Sequence, residues 1–161
     1  MHILLRTAAR WFALLGAAVG LLVGVMTVVS VLGRALVSRP IMGDVELTQV
    51  GIALCISLCL PWCQLQRGNI IVDFFTVKCS ESTNAFLDRM GALILALCFA
   101  LLAWRTSIGG MSAYTANSGT MILGFPEWIV YAFMVPSFVL TSLIALTQVF
   151  VGFDETLGEH A

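Results

Sequence analysis

The fold is decided by an uncharged stretch near the N-terminus, WFALLGAAVGLLVGVMTVVSVLG, residues 11–33. A helix rises about 1.5 Å per residue and the hydrocarbon core of a bilayer is about 30 Å thick, so this stretch is long enough to cross a membrane. Three further uncharged stretches follow, at residues 47–66, 90–104 and 128–153. The third of the four is too short on its own, and it must extend back to residue 85 or forward past Arg105 to residue 111, with the arginine side chain snorkelling to an interface.

The composition agrees with a membrane protein. Hydrophobic residues make up 60% of the 161 residues and charged residues only 11%, against roughly a quarter in an ordinary soluble domain. Lipid offers no partner for unpaired backbone groups, and the apolar stretches are continuous rather than alternating, so helices are favoured over a barrel. We predict an all-α polytopic protein, one membrane domain over residues 1–161, with four transmembrane helices at about 11–33, 47–66, 86–111 and 128–153.

The basic residues predict the orientation. An even number of spans puts both termini on one side of the membrane. That side holds five basic residues, Arg6, Arg10, Arg67, Lys78 and Arg89, and the other side holds three, Arg34, Arg39 and Arg105. The positive-inside rule therefore favours cytoplasmic termini. The first stretch exceeds the apolar region of an ordinary signal peptide, so an uncleaved signal anchor is favoured over a cleaved signal.

Small residues recur every four positions in the first two helices. Gly16, Gly20 and Gly24 leave a strip of bare backbone on the first helix, where another helix can approach closely. The neighbour is either a partner chain or a helix of the same bundle. In the second helix the series is Gly51, Cys55, Cys59 and Cys63. No histidine lies nearby and ionised thiolates are costly at membrane depth, so packing is favoured over metal binding.

Prolines and connecting segments add local expectations. Pro61 predicts a kink or a local break near the end of the second helix, because proline removes one backbone donor. Pro136 predicts a second kink in the fourth helix, which Pro126 and Trp128 open with a proline and an aromatic anchor. The Ser, Thr, Gly and Asn content of residues 112–124 predicts a connection.

The segment between the second and third helices has one apolar face over residues 69–83. This pattern predicts an amphipathic helix on the cytoplasmic membrane surface, or else an extension of the second helix.

The predicted spans contain no recognisable catalytic or cofactor-binding motif. The two histidines, His2 and His160, stand at the extreme ends, so no intramembrane pair can hold a haem. There is no basic run for nucleic acid and no catalytic motif, and we expect neither an enzyme nor a cofactor. The centres of the first, second and fourth helices offer only hydroxyls and thiols for a solute or an ion. An accessory or scaffold subunit is therefore favoured, with an autonomous small oligomeric channel or carrier as the alternative.

The chain resembles, over nearly its whole length, the small membrane subunit of the tripartite ATP-independent periplasmic (TRAP) transporters. The matching elements are Val31–Arg34, Gly43–Glu46, the run from Leu60 to Asp73 with Pro61, Arg67 and Gly68, and Phe125–Trp128 followed by Tyr131 and Pro136. Asn69 departs from the pattern, since members often carry histidine there.

The resemblance implies secondary transport of organic acids or related solutes across the bacterial inner membrane. A periplasmic substrate-binding protein delivers the solute, and a large membrane subunit carries it by an ion-coupled, usually sodium-driven, elevator movement. The small subunit joins the fixed scaffold of the large subunit. No substrate or sodium site is implied for the small subunit itself, and the sequence does not name the solute.

The residues expected to act in structure or at interfaces are Gly16, Gly20, Gly24, Arg34, Asp44, Glu46, Pro61, Arg67, Gly68, Asp73, Pro126 and Trp128. We expect Trp11, Trp104 and Trp128 to hold the helices at depth in the lipid. Residues 34–46 and 106–127 are candidates to contact the binding protein, although the charges in the first of these loops can also be solvated interface charges. Arg67 and Asp73 are hypothesised to pair after the second helix, unless Arg67 binds a lipid phosphate.

Overall fold

The computed structural model describes residues 2–37, 41–66 and 81–151. Four helices make up most of the described part: α1 His2–Val37, α2 Asp44–Leu65, α3 Glu81–Thr115 and α4 Trp128–Val151. Each of them is long and apolar enough to cross a membrane. In the described ranges the extended pairing amounts to one isolated bridge, between Gly119 and Pro126. The all-α, four-helix prediction is confirmed.

The third helix is longer than its uncharged stretch in both directions. It begins at Glu81 and ends at Thr115, so the predicted connection over residues 112–124 is wrong in its first four residues. Composition favoured a loop there, but α4 packs beside the last turns of α3. The Tyr114 ring packs edge-on against the Trp128 ring, with 5.7 Å between the ring centroids. Such tertiary contacts override weak helix propensity.

The two internal prolines do not interrupt their helices. α2 runs from Asp44 to Leu65 through Pro61, and α4 runs through Pro136. The expected local break at Pro61 is therefore wrong, because a group on a neighbouring helix satisfies the backbone carbonyl that the proline leaves without a donor.

The helices contact one another in the order α1, α2, α4, α3. α1 packs on α2 and barely touches α4, α2 packs on α4, and α3 has α4 as its single described neighbour among the helices. α2 and α4 run parallel, and each runs antiparallel to its outer neighbour. We call the end that holds residues 41–43 and 116–127 the distal end, and the opposite end the terminal end.

Burial is concentrated on α4. Ser137, Thr141, Ala145 and Gln148 have no exposed surface, and Ile144 is 1% exposed. In the most apolar 18-residue window of α4, 33% of the residues are buried, against 6% in α1. The chain alone therefore leaves most of the apolar surface of its edge helices uncovered.

Several sequence predictions fall outside the described residues. These are the positions of Arg39, Arg67, Gly68 and Asp73 and the greater part of the predicted surface helix over residues 69–83. Its last three residues, 81–83, belong to α3.

Candidate functional site

Of the three glycines spaced four residues apart in α1, two lie in the contact with α2. A Cβ atom on Gly16 would stand 2.9 Å from the Sγ of Cys59, and one on Gly20 would stand 2.9 Å from the Sγ of Cys55. Gly24 has no heavy atom within 4 Å of such a Cβ and is exposed. The stripe thus serves packing inside the chain at Gly16 and Gly20, and it is free at Gly24.

The same contact is close on the side of α2. A Cβ on Gly51 would overlap the Val23 side chain of α1. The Cys59 thiol approaches the Ala13 carbonyl at 4.0 Å. Among residues 2–37, 41–66 and 81–151, no three His, Cys, Asp or Glu side chains are grouped to hold a metal. In this arrangement Cys55 and Cys59 are packing residues.

Asp44 joins the distal ends of α1 and α2. Its Oδ2 accepts a hydrogen bond from the Ser30 hydroxyl at 2.6 Å and faces the Arg34 guanidinium at 3.4 Å. Gly43, just before it, has a φ of 76°, a left-handed conformation that glycine adopts without strain. A carboxylate in the first turn is favoured by the helix dipole. The Arg34 side chain is 64% exposed, so its ion pair contributes little stability compared with the part-buried hydrogen bond from Ser30.

Glu46 ties the α3–α4 loop, residues 116–127, to the start of α2. Its two carboxylate oxygens accept hydrogen bonds from the backbone N–H groups of Ile122 at 2.8 Å and Leu123 at 3.1 Å. Leu123 also covers Gly43, where a Cβ would lie 2.6 Å from the leucine Cγ. Glu46 is therefore bonded to the loop rather than only solvated, and Gly43 is needed both for its φ and for this close approach.

The second half of that loop leads into α4. Pro126 lies across the isolated bridge from Gly119, and Trp128 begins α4 with its ring against Tyr114. Met121 at the tip is fully exposed. The loop is thus anchored at both sides and presents an apolar tip at the distal end.

A polar seam links α2 and α4 in the middle of the row. Pro61 has no N–H, so the Ser57 carbonyl four residues earlier has no helical donor. The Ser137 hydroxyl of α4 donates a hydrogen bond to that carbonyl. Ser57 and Ser137 are 1% and 0% exposed. A group on α4 therefore compensates for the proline.

The seam continues towards the terminal end with two glutamines. Gln64 donates from Nε2 to Oε1 of Gln148 at 2.8 Å, and Gln148 donates from Nε2 to the Gln64 backbone carbonyl at 3.0 Å. Both are buried. We did not expect this seam from the sequence. Two sequence features could have indicated it. Ser57 lies four residues before Pro61, and one glutamine lies near the terminal end of each of α2 and α4.

These contacts define a class of protein: a polytopic membrane protein in which several buried polar side chains join neighbouring helices. The family model for "Tripartite ATP-independent periplasmic transporters, DctQ component" matches residues 23–155. The chain belongs to this family, the small membrane component of TRAP transporters, and is a multi-pass protein of the inner membrane. The family consists of transporter components and not of enzymes. Comparison with curated proteins and with solved structures gave no match.

Proposed function

We propose that the chain is the stationary scaffold partner of the large ion-coupled elevator subunit of a TRAP transporter, in the uptake of organic acids or related solutes. An elevator needs one part that stays in place while the carrying domain slides. A wide apolar belt resists being dragged through the lipid and can hold the fixed part of the large subunit. The work of this chain is then helix packing, without a solute or ion site of its own.

The observation that carries this proposal is the order of helix contacts. A row of α1, α2, α4 and α3 spreads apolar surface sideways and leaves the outer faces of α1 and α3 for lipid or for a partner. The buried polar groups of Ser57, Ser137, Gln64 and Gln148 bond to one another, so they are not available to a solute.

The distal end is proposed to face the periplasm, with both chain termini in the cytoplasm. The distribution of basic residues supports this orientation. The binding protein would then meet the distal loops, of which residues 116–127 are anchored by Glu46 and expose Met121. A photo-crosslinking amino acid at Met121 should capture the binding protein. The matched control is Leu4, an exposed apolar residue at the terminal end of α1, which should capture none.

Reconstitution tests the proposal. Liposomes would hold the chain alone, the large subunit alone or both, with the binding protein and its solute outside and a sodium gradient across the membrane. We expect a stable two-subunit complex and sodium-dependent uptake when both are present, and no flux from the chain alone. Solute flux through the chain alone would support the alternative, an autonomous oligomeric channel or carrier, and would refute the scaffold role.

A further inference from the structure

Arg105 is a charged side chain ten residues before the end of α3, and it has no partner in the described structure. It is exposed on the isolated chain, and it forms no hydrogen bond or ion pair with residues 2–37, 41–66 or 81–151. Asp88, the nearest acidic residue with a described side chain along the same helix, is about 25 Å away at a rise of 1.5 Å per residue. Asp44 and Glu46 bond to groups of α1 and of the distal loop.

Helix register places Arg105 at membrane depth. α2 has 22 residues, about 33 Å, and therefore just crosses the hydrocarbon core. Ser57, near the middle of α2, bonds to Ser137, and the next residue, Phe138, contacts Phe99 of α3 at 6.2 Å between ring centroids. Arg105 lies six residues further towards the distal end than Phe99. With the hydrocarbon core placed along the length of α2, the Arg105 Cα lies about 5 Å from the level of the middle of α2 and roughly 10 Å inside the distal boundary.

The direction of α3 makes it harder for the Arg105 side chain to reach the distal membrane boundary, which is the nearer one. Side chains of an α-helix leave the backbone tilted towards the helix N-terminus. α3 begins at the terminal end, so the Arg105 side chain starts out pointing away from the distal boundary and deeper into the lipid. An unpaired guanidinium at this depth is costly in lipid.

The surroundings of Arg105 form a continuous open face of α3. Leu97, Leu101 and Ile108 lie on the same side at helical spacing and are 63%, 59% and 45% exposed. α3 packs on α4 and on no other described helix, so nothing in the described part of the chain covers this face.

We propose that this face of α3 binds the large membrane subunit, and that an acidic side chain of that subunit at mid-membrane depth pairs with Arg105. The inference rests on the proposed function, since it names the part of the scaffold that meets its partner. Charge complementarity selects the occupant: lipid tails offer nothing to a guanidinium, whereas a carboxylate matches its planar donors in a bidentate pair. Membrane-embedded ionisable groups usually face a protein interior and pair there.

Co-purification of the tagged chain with the large subunit tests the proposal. Arg105→Glu should lower recovery of the large subunit about tenfold, because two like charges would meet in a desolvated site. Arg105→Met should lower it less and should leave the yield of the chain itself unchanged. The matched control is Arg89→Glu, an exposed arginine at the terminal end of the same helix, which should leave recovery unchanged. A photo-crosslinking residue at Leu101 should capture the large subunit.

The outcomes separate two failures. If the wild-type chain binds the large subunit but both Arg105 variants bind it equally well, the α3 face is not the interface and only this inference falls. Capture of lipid alone or of a second copy from Leu101 leads to the same conclusion. If the wild-type chain does not bind the large subunit, the scaffold function itself is wrong. Restoration of uptake in Arg105→Glu by an acidic-to-basic change in the large subunit would identify the pairing residue.

Discussion

The hydroxyl of Ser137 donates a hydrogen bond to the backbone carbonyl of Ser57, which Pro61 deprives of its helical donor. A defect in one helix is therefore matched by a side chain on its neighbour. The same α2–α4 contact holds the Gln64–Gln148 pair, so the two central helices of the row are joined by hydrogen bonds in addition to apolar packing.

Removal of the Ser137 hydroxyl should destabilise the chain. We expect Ser137→Ala to cost about 1 kcal/mol, within the range measured for interhelical hydrogen bonds in membranes, since a buried carbonyl loses its donor. Thermal unfolding in detergent measures the loss. Pro61→Ala restores a backbone donor to Ser57, so Ser137→Ala should cost about half as much or less in that background. Equal losses in both backgrounds would show that the two residues are not coupled.

The two glutamines should behave as a reciprocal pair. Gln148→Leu removes the acceptor of the Gln64 Nε2 group and the side-chain donor to the Gln64 backbone carbonyl in a buried site, and it should cost about 1–2 kcal/mol. The double variant with Gln64→Leu should be more stable than the sum of the single losses predicts, because both partners are then apolar. Gln49→Leu, at an exposed position of α2, is the control and should change stability by less than about 0.5 kcal/mol. Additive losses would argue against the pair.

Glu46 should control the order of the distal loop. Glu46→Ala removes the acceptor of the Ile122 and Leu123 N–H groups, and hydrogen bonds to a charged group are stronger than neutral ones. Amide exchange at these two residues should accelerate about tenfold. Glu46→Gln keeps one acceptor oxygen and should have a smaller effect. Unchanged exchange in Glu46→Ala would mean that other contacts hold the loop.

The glycines of α1 should separate internal packing from partner binding. Gly20→Leu would place a side chain against Cys55 and should cost about 1–3 kcal/mol, the usual range for overpacking. Gly24→Leu meets open space and should leave the stability of the isolated chain within about 0.5 kcal/mol of wild type. If Gly24→Leu nevertheless weakens binding of the large subunit, that turn of α1 is also an interface. Equal destabilisation by both substitutions would contradict the described α1–α2 contact.

The helices were predictable because lipid imposes a strong rule: a continuous uncharged stretch of sufficient length must be a helix. The C-terminal end of α3 was not predictable in the same way. Ser112 and its neighbours have a loop-like composition, and they remain helical because they pack on α4. The contact between Glu46 and Ile122 joins positions 76 residues apart. No local pattern encodes such a distance, so Glu46 was recognised as a candidate while its partner was not.

Arg34 and Asp44 show an intermediate case. Both residues are candidates for an interface role from the sequence, with solvated interface charge as the alternative. The structure pairs them and adds Ser30, which no charge pattern could indicate. The packing of α1 on α2 determines which α1 side chains lie within reach of the Asp44 carboxylate.

The parallel contact between α2 and α4 imposes an order on biogenesis. Ribosomal synthesis reaches residue 64 long before residue 148, and a whole helix must be inserted and turned back in the meantime. Until then the Ser57 carbonyl and the Gln64 side chain lack the companions that α4 later supplies. The contacts at the centre of the row therefore form only after α4 is inserted. In a nascent chain that stalls before α4 emerges, the α1–α2 hairpin would not yet be packed against α3 through α4.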